Sequence, residues 1–265
     1  MFVVADSDSP GAVQAATTVV SRLRALLAKP GPDPALEVDI DLRPEGKGGA
    51  MVRSLASYKA YYERWSSTWE SQALLRASMG AGDRQLGEEL IRTINRVRYP
   101  KGGLTHAQVL EIRKLKARME AERLPRGGDP ARHVKLGPGG LSDVEWVVQL
   151  LQLHHAAGDA RLRTTGTLEA LDASVLAGLL DDADAEALRG AWLLASRIRN
   201  AIMLLRGRAG DSLPTDVREL SSVAQILGYA KGESTLFVED YRRGARLARQ
   251  VMDRVFWDAR PASVD

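Results

Sequence analysis

Cysteine is absent from the 265-residue sequence, so neither a disulfide nor a thiolate metal site can form. No apolar run approaches the roughly 18 residues of a membrane-spanning helix, and no basic segment precedes the first apolar residues. These absences exclude a disulfide-stapled secreted domain and argue against a membrane protein or a secretory signal. Proteins of the reducing cytoplasm have this composition, and we expect a cytoplasmic location.

An excess of one charge is also missing. Lysine and arginine number 37 against 34 acids, which gives a net charge of +3. The two signs are interspersed, whereas nucleic-acid-binding proteins usually concentrate their basic residues. We therefore expect no nucleic acid and no membrane as a partner. The hydrophobic content of 45% is enough to build a globular core.

Only four histidines are present, and their positions do not indicate a metal site. His154 and His155 are adjacent on a predicted helix, so their side chains point about 100° apart. His106 lies in a predicted helix cap and His133 in a basic loop, and no HExxH spacing occurs. No nucleophile elbow accompanies them, so a serine–histidine–acid triad is not indicated either.

The hydrophobic pattern predicts a mainly α protein with a small α/β piece at its start. A strand is predicted at residues 2–5, a helix at 12–27 and a second strand at 36–42. From residue 54 onward apolar residues recur at helical spacing. The helices predicted there cover residues 54–65, 68–78, 84–96, 105–123, 142–155, 167–179, 183–206, 216–227 and 235–259.

The second predicted strand carries acids at Glu37, Asp39 and Asp41, which alternation places on one face. Neighbouring carboxylates repel one another, so the row needs a compensating role. One such role is to hold Mg²⁺, which prefers oxygen ligands. The other is to keep an exposed edge strand from aggregating, and composition alone slightly favours that interpretation.

Two glycine-rich loops leave similar alternatives. RPEGKGG, residues 43–49, follows the acidic strand, and its Arg43 and Lys47 could balance the charge of a triphosphate. KLGPGG, residues 135–140, precedes a predicted capping box at residues 142–145, where backbone amides could bind an anion. A tight interhelical turn is the favoured interpretation of KLGPGG, whereas turn and ligand loop are equally favoured for the glycines of RPEGKGG.

Much of the aromatic content of the chain lies in one short segment. The residues are Tyr58, Tyr61, Tyr62, Trp65 and Trp69. Spacings of three and four place several of these rings on one helix face. Core packing is favoured over a platform on which a base could stack.

Several long motifs, in order along the chain, resemble glutamine synthetase adenylyltransferase. They are VDIDLRPEGKGG (38–49), SL (54–55), YYE (61–63), TWESQALLRA (68–77) with GD (82–83) after it, EIRKLKARMEAER (111–123), KLGPGGLSDVEWVVQLLQL (135–153) and LPTD (213–216). Members of this family carry two nucleotidyltransferase halves, each followed by a helical domain. One half attaches AMP to glutamine synthetase and the other removes it. TWESQALLRA looks more like the C-terminal, adenylylating half.

The resemblance implies a fold of the DNA polymerase β type and transfer of AMP from ATP with Mg²⁺. On that basis residues 1–53 are a remnant of the nucleotidyltransferase α/β domain. Residues 54–130 are its helical continuation, and residues 131–265 form a C-terminal helical bundle.

The resemblance also implies a metal site built from three aspartates. The third belongs to a V-D-x-x-L-R-P strand, which makes Asp39 the expected catalytic and metal-binding residue and ranks Asp41 second. The first two come from a G-S-D-x-D motif, which this sequence lacks, and Asp6 and Asp8 are poor substitutes. The chain therefore looks cut just after its main metal ligands, and we expect it to be inactive alone.

Contacts with ATP follow from the same resemblance. Arg43 and Lys47 are the expected phosphate contacts, and Arg76 is a weaker candidate. Gly48 and Gly49 would permit close approach of the backbone to the nucleotide.

An alternative function is that of a helical docking module for glutamine synthetase or a PII-type signal protein. The basic side of the helix around residues 113–118 would suit an acidic partner. So would a series of arginines at positions 197, 199, 206 and 208.

Overall fold

The structure, a computed structural model, describes residues 1–29, 31, 35–40, 43–124 and 127–258. The chain divides into two compact units, Met1–Gly103 and Leu104–Asp265. Helices dominate both units, so the predicted mainly α class is confirmed. The predicted division at residues 53 and 130 stays a prediction.

The first unit opens with a β–α–β arrangement. Its elements are β1 (Val4–Ala5), α1 (Pro10–Leu27) and β2 (Arg53–Ser54). The strands are parallel, with Val4 opposite Arg53 and Ala5 opposite Ser54. The predicted first strand and first helix are thus confirmed, each with slightly different bounds.

The second strand predicted over residues 36–42 is wrong for its described part, because residues 35–40 form no strand. Glu37 and Asp39 are exposed while Ile40 is buried, so the predicted separation of acids from apolar residues persists without a ladder. β2 is instead the partner of β1.

Three helices complete the core of this unit. They are α2 (Leu55–Arg64), α3 (Thr68–Leu74) and α4 (Arg84–Arg98). The stacked rings of Tyr58 and Tyr62 are buried against Leu74 and Ile94, so the expectation of core packing is confirmed for these two tyrosines. Trp65 instead has 73% of its surface exposed.

Helix α3 ends earlier than predicted because a distant arginine binds the carbonyl of its last residue, Leu74, and a carbonyl just beyond the helix. Arg98 Nη1 donates to the carbonyl oxygens of Leu74 and Ala77 at 2.9 and 2.8 Å. Its Nε donates to Asn95 Oδ1 at 2.9 Å. These bonds satisfy acceptors that the end of a helix leaves without partners, and burial lowers the pKa of Arg98.

The second unit consists of helices, short turns and loops in its described part. The helices are α5 (His106–Arg123), α6 (Leu141–His155), α7 (Thr167–Leu176), α8 (Asp182–Arg206), α9 (Val217–Ile226) and α10 (Ser234–Met252), with a π-helical turn at Asp253–Trp257. The core includes Ala195 and Ile198 of α8, together with Phe237 and Tyr241 of α10. No helix among the described residues is long and apolar enough to cross a bilayer.

A buried charge cluster connects three helices of this unit. Lys116 of α5 and Asp143 of α6 are 1% and 0% exposed, and Lys116 Nζ lies 2.6 Å from Asp143 Oδ1. Arg249 of α10 reaches the other carboxylate oxygen of Asp143 at 3.2 Å. Glu120 contacts both cations, at 3.2 Å from Lys116 and 3.0 Å from Arg249. The sequence pattern had placed Lys116 on a basic outer side, which is wrong.

We expect Asp143→Ala to destabilise the second unit by about 3–5 kcal/mol, because it leaves the buried Lys116 ammonium with too little compensating charge. The matched control is Asp172→Ala. Asp172 is 62% exposed and pairs with Arg189, so its loss should cost no more than about 1 kcal/mol. Urea unfolding of both variants measures the difference, and equal losses would contradict this role for Asp143.

Candidate functional site

A single buried arginine holds the loop that carries most of the predicted site residues. The Arg43 side chain donates from Nε to the Gly49 carbonyl at 2.8 Å. Its two terminal nitrogens donate to the carbonyls of Ile40 and Lys47, each at 2.9 Å. Arg43 is 8% exposed. It therefore fixes the path of the loop from inside, and its predicted phosphate contact stays a prediction.

The backbone of the loop turns sharply at Glu45 and Gly46, whose φ angles are +64° and +58°. A 3₁₀ turn follows over Gly46–Gly48 and exposes Lys47. At Gly49 a Cβ atom would lie 2.0 Å from the Pro44 carbonyl oxygen, whereas at Gly48 it would meet nothing within 4 Å. The two predicted ligand glycines thus differ: Gly49 is required by the fold and Gly48 is not.

A chain of contacts connects this loop with α2 and α3. The Glu45 carboxylate pairs with Arg53, and the Arg53 guanidinium lies 5.4 Å from the centre of the Tyr61 ring. The Tyr61 hydroxyl donates to Glu70 Oε1 at 2.9 Å, and Glu70 Oε2 accepts from the Ser67 amide at 2.8 Å. The motifs at residues 38–49, 61–63 and 68–77 are therefore in physical contact.

The Tyr61 hydroxyl is the central link in this chain. Its burial, followed by its hydrogen bond to the Glu70 carboxylate, raises its pKa. It therefore stays a neutral donor at physiological pH. Glu70 itself is buried and closes the capping box that begins α3.

The predicted metal ligands are only partly within the described residues. Asp39 is exposed, and Asp41 lies outside the described ranges. Across those ranges no group of three or more histidine and acidic side chains could hold a metal ion. Asp39 can supply one oxygen ligand of the kind Mg²⁺ prefers. The described residues do not supply the rest of such a set.

Arg76 is at the surface, and two of the histidines accept hydrogen bonds from the backbone. Arg76 is exposed in the turn that follows α3. His133 Nδ1 accepts from the Leu136 amide at 3.0 Å, and His154 Nδ1 accepts from the Leu104 amide at 3.2 Å. Both histidines thus use one ring nitrogen to hold the backbone, and burial lowers the pKa of His133.

The KLGPGG loop satisfies its own backbone, which supports the interpretation as a tight turn. The amides of residues 139–142 all donate within the protein, to Asp143 Oδ2 at 2.8 Å and to the carbonyls of Gly137, Val134 and Lys135 at 2.9–3.0 Å. Helix α6 begins at Leu141 with Gly140 as its cap, so the predicted capping box at residues 142–145 is wrong. Asp143 takes the place of an external anion.

Gly139 in this loop has φ +72°, and a Cβ atom there would lie 1.8 Å from the Ala245 carbonyl oxygen of α10. The loop can approach α10 this closely only because the residue has no side chain. KLGPGG is therefore a packing motif between two helices.

The basic surfaces expected to dock a partner are largely occupied. In the basic segment 113–118 of α5, Lys116 is buried and Arg113 Nε donates to the Phe256 carbonyl at 2.6 Å, which leaves Lys114 and Arg118 as the exposed cations of that segment. In the arginine series, position 199 pairs with Asp211 at 2.6 Å and position 206 with Glu219 at 2.7 Å.

Comparisons with known proteins agree with these motifs. The family model described as glutamate-ammonia ligase adenylyltransferase matches residues 5–93, and the model described as GlnD PII-uridylyltransferase matches residues 113–257. Both descriptions name transfer of a nucleotidyl group, so the chain falls in the class of nucleotidyltransferase sequences.

Full-length relatives narrow this class. The chain is 56% identical to the bifunctional glutamine synthetase adenylyltransferase/adenylyl-removing enzyme of Cutibacterium acnes, over 97% of the chain and 26% of that protein. It is 58% identical to the one of Streptomyces avermitilis, over 95% of the chain and 25% of that protein. For Mycobacterium tuberculosis the identity is 49%, over 94% and 25%. The chain belongs to the glutamine synthetase adenylyltransferase family and spans about a quarter of the length of these relatives.

Sequence reasoning missed the residues that connect the motifs. Glu45 and Glu70 lie within the recognised motifs without a predicted role. Tyr61 was predicted only as one of the aromatic residues, and Arg53 lies outside the motifs. Arg53 stands between buried Val52 and Ser54, where alternation predicts an ordinary outward-facing charge, so the sequence offered no signal for its contacts.

We expect Gly49→Ala to open the loop and Gly48→Ala to leave it closed, because only the first adds a carbon against a fixed carbonyl. The first should destabilise the loop by about 1–3 kcal/mol and the second by less than about 1 kcal/mol. Hydrogen exchange of the Gly46 and Gly49 amides, which close the turn at 2.8 and 3.1 Å, measures this. Equal protection in both variants would argue against a packing role for Gly49.

Proposed function

We propose that this chain is part of an enzyme that transfers AMP from ATP to a tyrosine of glutamine synthetase. The observation that carries the proposal is the identity of 49–58% to bifunctional enzymes of that name over more than nine-tenths of the chain. TWESQALLRA further favours the adenylylating half over the adenylyl-removing half. The contacts among the motif loop, α2 and α3 support one functional unit.

Asp39 is the proposed catalytic carboxylate, with Asp41 as the second candidate. When bound at such a site, Mg²⁺ would neutralise charge on the ATP phosphates. Asp39 lies on the segment that leads into the loop, and the Ile40 carbonyl next to it accepts from Arg43. Through this bond Arg43 would help to position Asp39 relative to Lys47, and it remains a proposed phosphate contact.

Lys47 and Arg76 are also proposed phosphate contacts, because both are exposed cations on or near the recognised motifs. Transfer of a nucleotidyl group needs in-line positioning and charge neutralisation more than covalent work by the protein. A loop fixed from inside by Arg43 supplies that positioning, and Gly48 leaves open space beside it.

In the full-length protein, Asp39→Asn should abolish AMP transfer while leaving the fold intact, because it removes a carboxylate charge that the exposed position does not need for stability. Transfer of labelled AMP to purified glutamine synthetase measures activity, and circular dichroism checks the fold. The matched control is Glu37→Gln, which removes another exposed carboxylate from the same segment. Activity of Asp39→Asn within about tenfold of wild type would exclude Asp39 as an essential ligand.

The 265-residue chain by itself should transfer no AMP. It contains no G-S-D-x-D motif, and a single carboxylate segment is a poor holder of two metal ions. The same labelled assay, with the full-length protein as positive control, tests this expectation. Robust magnesium-dependent transfer by the 265 residues would contradict it.

Docking of glutamine synthetase or a PII-type signal protein is the alternative role, and the exposed Lys114 and Arg118 favour it. Separate titrations of the chain with Mg-ATP, glutamine synthetase and a PII-type protein distinguish the two. Nucleotide binding supports a nucleotide site within the chain, whereas binding of a protein partner alone supports the docking module.

A further inference from the structure

Arg53 is a cation whose hydrogen-bonding capacity is only half used. Its side chain is 15% exposed, and its Nη2 donates to one carboxylate oxygen of Glu45. Its Nε is buried and has no hydrogen-bond partner among the described residues. Nε and Nη2 form the same edge of a guanidinium, the edge that binds two oxygens of one carboxylate or phosphate. Glu45 therefore satisfies one donor of a two-donor site.

Glu45 is a weakly held partner for a cation buried to this degree. Its side chain is 59% exposed, and its backbone adopts a left-handed conformation that is unfavourable for a residue with a Cβ atom. An exposed carboxylate can move into water at little cost, whereas the mostly buried Arg53 guanidinium would then lack a compensating anion and would favour binding another one.

The surroundings of Arg53 fix its guanidinium in place. Tyr61 lies against it with 5.4 Å between the guanidinium carbon and the ring centre, and the Tyr61 hydroxyl is tied to buried Glu70. A preorganised guanidinium loses little freedom when it binds an anion. The exposed Lys47 follows Glu45 by two residues on the same loop, so a second cation lies close to Glu45 along the chain.

We propose that Arg53 binds a phosphate group of the nucleotide, and that Glu45 occupies Arg53 until phosphate displaces its carboxylate. A phosphate has three acceptor oxygens and can use both Nε and Nη2, which the single Glu45 contact does not. The inference rests on the proposed function, and it assigns the polyphosphate of ATP to a residue outside the recognised motifs.

The test measures binding of inorganic pyrophosphate to the 265-residue chain by titration calorimetry. Glu45→Gln should tighten binding about 3- to 10-fold, because it removes the competing carboxylate. Arg53→Gln should weaken binding at least about tenfold, the usual worth of a charge-assisted pair. Arg53→Lys, which keeps the charge but loses the two-donor edge, should fall between wild type and Arg53→Gln.

Two control variants correct for net charge. Glu89→Gln and Lys59→Gln remove the same charges from an exposed pair of the same unit, with nitrogen and oxygen 3.7 Å apart. Each should leave pyrophosphate affinity within about twofold of wild type, because surface charges act weakly at a distance in salt. Circular dichroism and urea unfolding identify any variant that fails to fold. If an Arg53 variant fails to fold, the proposal is tested by whether Glu45→Gln tightens or weakens pyrophosphate binding.

A purely structural pair predicts the opposite sign. If Glu45 only holds the loop, Glu45→Gln should loosen it and weaken pyrophosphate binding or match Glu89→Gln, and either result overturns the proposal. Absence of binding by the wild-type chain at millimolar pyrophosphate also overturns it. These outcomes do not depend on AMP transfer, so a failure of the proposed function, such as an Asp39→Asn variant that still transfers AMP, would be recognised separately.

Discussion

The backbone carbonyls of Ile40, Lys47 and Gly49 converge on the guanidinium of Arg43, and the path of the candidate site loop depends on this convergence. A buried guanidinium is stable only if its N–H groups find acceptors. The loop supplies them by folding around the side chain. The same folding exposes Lys47 and brings Glu45 against Arg53. The buried Arg43 thus determines where the loop places the exposed charges of Lys47 and Glu45.

The second unit uses buried charge for a different purpose. Lys116, Asp143 and Arg249 come from three helices and meet where the chain leaves the KLGPGG loop. Asp143 also accepts the Gly139 amide, so one carboxylate both balances the cations and begins α6. Removal of a water-exposed pair would cost little, but Lys116 and Asp143 are shielded from solvent and the members of the cluster depend on one another. The helices it joins all lie within or overlap the region shared with the uridylyltransferase family model.

The sequence predicted the helices well because apolar spacing and capping residues are local signals. Thr105 and Gln108 form the predicted capping box, for example. The predictions that were wrong concern features that depend on tertiary contacts. α3 ends early because Arg98 binds the carbonyl of its last residue, and Lys116 is buried because its counter-ion arrives from another helix. In the candidate site the motifs were recognisable, but the contacts that join them were not, since a pairing such as Glu45 with Arg53 leaves no periodic trace.

The contact between Gly139 and Ala245 sets the distance between two segments that are more than a hundred positions apart in the chain. The two segments can lie this close because Gly139 has a hydrogen where any other residue has a Cβ atom, which would clash with the Ala245 carbonyl. Evolution can therefore vary the outer face of α10 freely, but it cannot alter its path near Ala245 without a matching change in the turn before α6. Among homologues, neither segment should therefore tolerate insertions or deletions. A substitution in one segment should be accompanied by a substitution in the other.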